Sequence, residues 1–190
     1  QLHLTSVVGS ADELLSKGAV IFETSDPYRW LRFFSAPLLH SGIVHYVSNM
    51  LALALISVLA GPHLGRKLPL LLYFSSTGSL FLVDAAARWW TFQGDGIVGL
   101  SGGLGAILGW LLGLSLRCWQ LLPRYYGLNL LALLAVVLLA LPLVLSMGSF
   151  ICHLIGCLLG LSLVLVLPIS LVTAGWTHAS RLSEPSLNSS

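Results

Sequence analysis

Five apolar runs, each long enough to cross a bilayer, constrain this chain more than any other feature. A spanning helix needs about 17–25 largely apolar residues, and residues 43–60, 68–87, 97–116, 127–147 and 150–174 each meet that length. The first carries His45 and Asn49 near its start, and the second carries Asp84 near its end. The third is rich in glycine, the fourth is almost wholly Leu, Ala and Val, and the fifth has His153 near its start. Barrel strands would need only about 10 residues of alternating polarity, and these runs do not alternate. Backbone groups in lipid must be satisfied within their own segment, so helices are expected throughout. Composition agrees, because only 8% of the residues are charged, whereas soluble domains carry about a quarter. The expected fold class is an all-α polytopic membrane protein.

Loop charge sets the expected orientation, since Lys and Arg concentrate on the cytosolic side. Connections 61–67 and 117–126, with the tail, hold Arg66, Lys67, Arg117, Arg124 and Arg181; the short connections opposite hold Arg88. The long first segment adds Lys17, Arg29 and Arg32 to that opposite side, so the bias is moderate. The reading is a non-cytosolic first loop over 1–42, a five-span core over 43–174, and a cytosolic tail over 175–190. The tail is expected to be disordered, being Ser-rich without an apolar run. A short helix is expected near 11–17. Five spans behind an outside N-terminus predict a further helix before Gln1. Asp84 and Asp95 read as solvated loop ends at the outer surface, and His3, His63 and His178 as incidental.

The formal net charge of +2 is too small to suggest a nucleic-acid partner. Cys118, Cys152 and Cys157 lack metal-ligand spacing and read as small apolar packing residues. No metal and no cofactor are expected, and the oligomeric state is not legible.

Polar side chains inside apolar spans are costly and mark function by default. His45 and Asn49 are four residues apart, so they share one helix face. With alternating orientation, His45, Asn49, Ser101 and His153 all fall at a similar depth on the outer side. Serine becomes a nucleophile when a base takes its proton, and neutral histidine is the base suited to pH 7. An Asn amide, a second His and the N–H of a serine at a helix start would face the oxyanion that follows. His45 and Asn49 also fit a polar pair that holds helices together. Gly99-Leu100-Ser101-Gly102-Gly103 matches the nucleophile elbow of soluble hydrolases, but that motif follows a strand of a soluble sheet. Gly105, Gly109 and Gly113, with Gly156 and Gly160, recur every four residues and suit close helix packing. If those faces meet, Ser101 and His153 come within reach.

Three segments together resemble the rhomboid family of intramembrane serine proteases. Arg32 through Met50, with His40, His45 and Asn49, resembles the family's stretch from the first-loop Trp-Arg motif into its H-x-x-x-N helix. Gly99-Leu100-Ser101-Gly102 is similar to its G-x-S-G motif, and His153 through Gly160 to its H-x-x-G-x-x-x-G helix. The segments stand in family order and span residues 30–160. The resemblance implies a rhomboid-like bundle with a six-helix core and a Ser101–His153 dyad in a cavity open to the outer side. It implies His45 and Asn49 as oxyanion donors. Arg32, His40, Gly99, Gly102, Gly156 and Gly160 would be structural supports. It implies transmembrane protein substrates in the bilayer, cut near the outer end of a span and often after a small residue. The cell membrane is the expected location.

The chain departs from the family pattern at three places. Gly105 stands where the family usually has a bulky residue packed on the histidine ring. Trp30-Leu31-Arg32 replaces a direct Trp-Arg pair, and no acidic residue stands around Gly61-Pro62-His63. A catalytically silent relative that binds client transmembrane helices is the second reading. A transporter is disfavoured, since no broken helix carries paired charges at mid-membrane.

Overall fold

The computed structural model describes residues 16, 18–20, 27–40, 42–89, 97–117, 124–136, 138 and 147–173. Within them each of the five apolar runs carries a helix. A short helix, α1 (Arg29–Ser35), precedes these and runs into a 3-10 turn at Ala36–Leu38. The long helices are α2 (Ile43–Leu64), α3 (Leu68–Trp89), α4 (Ser101–Arg117), α5 (Arg124–Ala135) and α6 (Met147–Val166), followed by the short α7 (Ile169–Thr173). Among the described residues the fold is all-α, apart from one isolated antiparallel bridge between Val20 and Ile97. Ser16 alone represents the expected helix at 11–17; the rest of that segment, Asp95, Cys118, His3, His178 and the tail lie outside the described residues.

Helix ends depart from the apolar runs for local reasons. The run at 97–116 begins too early: Ile97 exchanges backbone bonds with Val20, and Gly99 has a φ of 111°. A left-handed residue ends any regular entry, so helix starts at Ser101. The run at 150–174 is not one helix. It starts at Met147, which puts 148–149 inside α6 rather than in a connection. It breaks at Leu167–Pro168, because proline has no N–H to continue the ladder. Helix α2 runs four residues beyond its drawn end, through Pro62 to Leu64. Pro69 sits at the second position of α3, where a missing N–H costs nothing.

Helix α4 is the axis of the bundle. Every residue from Ser101 to Leu111 is buried, as are Gly113 and Leu114, and α2, α3, α5 and α6 all pack on it. The α4–α6 seam is the most extensive. The surrounding helices turn large apolar side chains outward, among them Val58, Phe74, Phe81, Leu133 and Val166, while Asn49, Ser76, Ser79, Ser101 and His153 are buried. A soluble domain covers its surface with polar and charged side chains; an apolar exterior around a core that holds a few buried polar groups suits a lipid solvent. By length and composition, Ile43–Gly61 and Gly65–Ala86 are long and apolar enough to cross a membrane, and Phe150–Val166 is a shorter apolar helix.

The first loop caps one end of this bundle. Val20, Phe33 and Ala36 pack with Leu80 and Val83 of α3, Ile97, and Cys152 of α6. Tyr73 donates to the Phe34 carbonyl at 2.7 Å, and Ser35 donates to the Gly18 carbonyl at 2.8 Å. Asp84 corrects the sequence expectation. It is buried rather than solvated, and it forms an ion pair with Arg29 of α1. A carboxylate at that depth is retained because a guanidinium accompanies it.

Candidate active site

Ser101 is the first residue of α4 and is 5% exposed. Leu100 precedes the helix, and its carbonyl accepts the N–H groups of Gly103 and Leu104 at 3.0 and 3.3 Å. The Ser101 N–H is therefore one of the first-turn donors without a helical acceptor. Three contacts fix this turn. The Gly99 N–H donates to the Ala36 carbonyl at 2.8 Å, tying it to the first loop. From α3, the Ser76 hydroxyl donates to the Leu100 carbonyl at 2.8 Å and accepts the Gly103 N–H at 2.9 Å. Ser76 is fully buried and was not singled out from sequence. Its signal was the polar cluster Ser75-Ser76-Thr77-Gly78-Ser79 inside an apolar run.

His45 and Asn49 meet the same turn from α2. A side chain at Gly99 would come within 2.8 Å of the His45 ring and 3.4 Å of Asn49 Nδ2. Only a glycine fits there, by space as well as by φ. Asn49 is 3% exposed, and its Nδ2 has no hydrogen-bond partner among the described residues. The His40 ring stands edge-on to His45 at 5.3 Å and to Tyr46 at 5.2 Å. His40 lies before α2, and burial pushes its imidazole below the ordinary value, favouring the neutral ring. Arg32 lies in α1, where its carbonyl accepts the Ala36 N–H that closes the helix.

His153 arrives across the α4–α6 seam. Added side-chain carbons at Gly156 and Gly160 would collide with the carbonyls of Gly102 and Ala106, and one at Gly109 with the Cys157 carbonyl. The two backbones are therefore in contact, as the four-residue glycine spacing predicts. Gly102 faces Cys152, with its added carbon 3.1 Å from Sγ, and Gly105 faces the His153 backbone, 2.5 Å from its carbonyl oxygen. These neighbours flank Ser101 on one side of the seam and His153 on the other. Gly105 thus has a positive reason: a larger residue would push α6 away. The His153 Nδ1 lies 2.5 Å from the Leu138 carbonyl, and its buried Nε2 has no hydrogen-bond partner among the described residues. No hydrogen bond joins Ser101 to His153 among the described residues. Such bonds are often long in free enzymes and tighten when substrate binds.

The structure thus brings Ser101, Gly99, Gly102, His45 and Asn49 around one turn, with His153, Gly156 and Gly160 along the adjoining seam. Cys152 and Cys157 are free buried thiols. Among the described residues no group of three or more His, Cys, Asp or Glu could hold a metal. No curated protein and no solved structure matches the chain. The family model for the rhomboid domain matches residues 27–170, a stretch that includes α1 to α6 and every residue of this site. The chain belongs to the rhomboid family of membrane proteins.

Proposed function

We propose that this chain is an intramembrane serine endopeptidase that cleaves transmembrane segments of other proteins with a Ser101–His153 dyad. The observation that carries the reading is the seam at which Ser101 opens a buried helix beside a histidine whose buried Nε2 has no hydrogen-bond partner among the described residues. In this mechanism the Ser101 oxygen attacks the scissile carbonyl while His153 Nε2 takes its proton. The negative charge on the carbonyl oxygen is met by Asn49 Nδ2, a His45 ring N–H and the Ser101 backbone N–H. Collapse breaks the C–N bond, and His153 returns the proton to the leaving amine. Water, deprotonated by the same histidine, then hydrolyses the acyl-enzyme and regenerates Ser101. The core crosses the membrane several times, with the site facing the non-cytosolic side. Its substrates are single-span proteins with small residues near the outer boundary.

The test is cleavage of such a reporter in lipid by the full chain. Wild type is expected to cut, and Ser101→Ala and His153→Ala each to fall to background. The second reading, a silent relative that binds client helices, draws on Gly105, which offers no side chain to the His153 ring. Capture of intact reporter with no cutting under any condition would favour it.

A further inference from the structure

We propose that Arg117 and Pro168 form a joint that ends the last span at the membrane boundary: the proline removes a donor from the ladder of α6, and the arginine of α4 supplies one in its place. The joint lies at the end of α4 opposite Ser101 and is independent of the dyad reading.

The run 150–174 is apolar throughout, so hydropathy alone does not say where its helix stops. Helix α6 keeps its regular ladder up to Leu167, whose N–H donates to the Leu163 carbonyl at 2.9 Å. The next bond would run from residue 168 to the Val164 carbonyl, but residue 168 is proline and has no N–H. The Leu167 carbonyl loses its regular donor too, because the Leu171 N–H bonds instead to the Pro168 carbonyl at 3.0 Å. Arg117 Nη1 donates to both of these carbonyls, to that of Val164 and, at 2.8 Å, to that of Leu167. The arginine thus takes two acceptors that the proline leaves without their regular donors. A cation also suits the end of a helix, where the last carbonyls carry partial negative charge.

The position of the joint gives it a purpose. Val164 is fully buried, whereas Arg117 is exposed. On a bundle with an apolar exterior, an exposed guanidinium belongs at the boundary, where it reaches water or headgroups. The 20 residues of α6 rise about 30 Å, the thickness of the hydrocarbon core. An unbroken helix through Thr173 would run about 10 Å further. Instead the chain turns at Pro168, and Val172 of α7 joins the same apolar cluster as Leu114 and Val164.

The experiment follows thermal unfolding and amide hydrogen exchange of the full chain in lipid nanodiscs. Arg117→Met keeps an apolar stem and removes the donors. It is expected to lower the thermal midpoint by about 4 °C or more and to speed exchange across 167–173 about tenfold. Arg66→Met removes another exposed cation, from the turn Gly65–Lys67, and is expected to change neither. Pro168→Ala returns an N–H to the ladder. It is expected to raise the midpoint more in the Arg117→Met background than in the wild type, because only there is the Val164 carbonyl free. Equal losses in Arg117→Met and Arg66→Met would reduce Arg117 to a boundary charge and overturn the joint. An equal effect of Pro168→Ala in both backgrounds overturns the pairing of the two residues. If Arg117→Met does not fold, the double variant decides: a folded double variant upholds the joint, and an unfolded one overturns it.

Discussion

At the scale of single residues, the site depends on small polar groups placed where a larger or apolar one would fail. Ser76 shows this best, because one hydroxyl serves both ends of the turn that presents Ser101. Removing it takes one hydrogen bond from the Leu100 carbonyl and one from the Gly103 N–H, which keep only the bonds within their own turn. Ser76→Ala is therefore expected to cost about 1–3 kcal/mol of stability, read as a lower thermal midpoint, with kcat falling more than KM changes. Ser76→Thr, which keeps the hydroxyl, tests whether the bond or the packing matters. Equal loss of activity in both variants would remove the hydroxyl from the argument. His45, Asn49, Ser101 and His153 were all singled out from sequence as candidates, because a polar residue in an apolar run needs a reason. Ser76 was not, since serine in a membrane helix more often bonds to its own backbone, as Ser57, Ser79 and Ser115 do here.

At the scale of elements, glycine position decides how closely α4 and α6 approach, and so how near the Ser101 and His153 backbones come. Gly160 packs directly on the Ala106 carbonyl, whereas Gly78 in α3 has open space where a side chain would go. The two should respond oppositely. Gly160→Val forces the seam apart, and overpacking of this kind costs about 1–3 kcal/mol or more. Gly78→Ala is expected to be neutral, or stabilising by up to about 1 kcal/mol through helix propensity. Thermal unfolding of both variants in the same lipid checks the contrast, and similar midpoints would mean the seam yields more than its geometry implies. The spacing of four announced which face of each helix was small. It could not announce that those two faces pair with each other, because any two such faces in the chain satisfy the same rule.

At the scale of the whole molecule, the first loop and the bundle are joined by a buried ion pair, a short backbone bridge and an apolar cluster. Arg29 and Asp84 are mostly buried, with side-chain exposures of 13% and 5%. Breaking such a pair leaves one charge uncompensated and costs about 3–5 kcal/mol, whereas replacing both partners with apolar residues is often tolerated. Asp84→Asn should therefore lower the thermal midpoint and expose the first loop to protease, and Arg29→Met with Asp84→Leu should recover much of the loss. A double variant no better than the single one would show that the pair does not join loop to bundle. Since Ala36 of the same loop holds Gly99, a loosened loop is also expected to disturb the turn before Ser101.

The sequence by itself determined the helical class and the runs that carry the helices, and it singled out the residues of the candidate site. Those follow from local chemistry: apolar length, the cost of a buried polar group, and the four-residue period of a helix. Tertiary structure alone decided that helix begins at Ser101 and not at 97, because the bridge between Val20 and Ile97 joins residues far apart in the chain. It also decided that Asp84 is paired rather than solvated. Long-range partners decide these matters, and no window along the chain contains both members of such a pair.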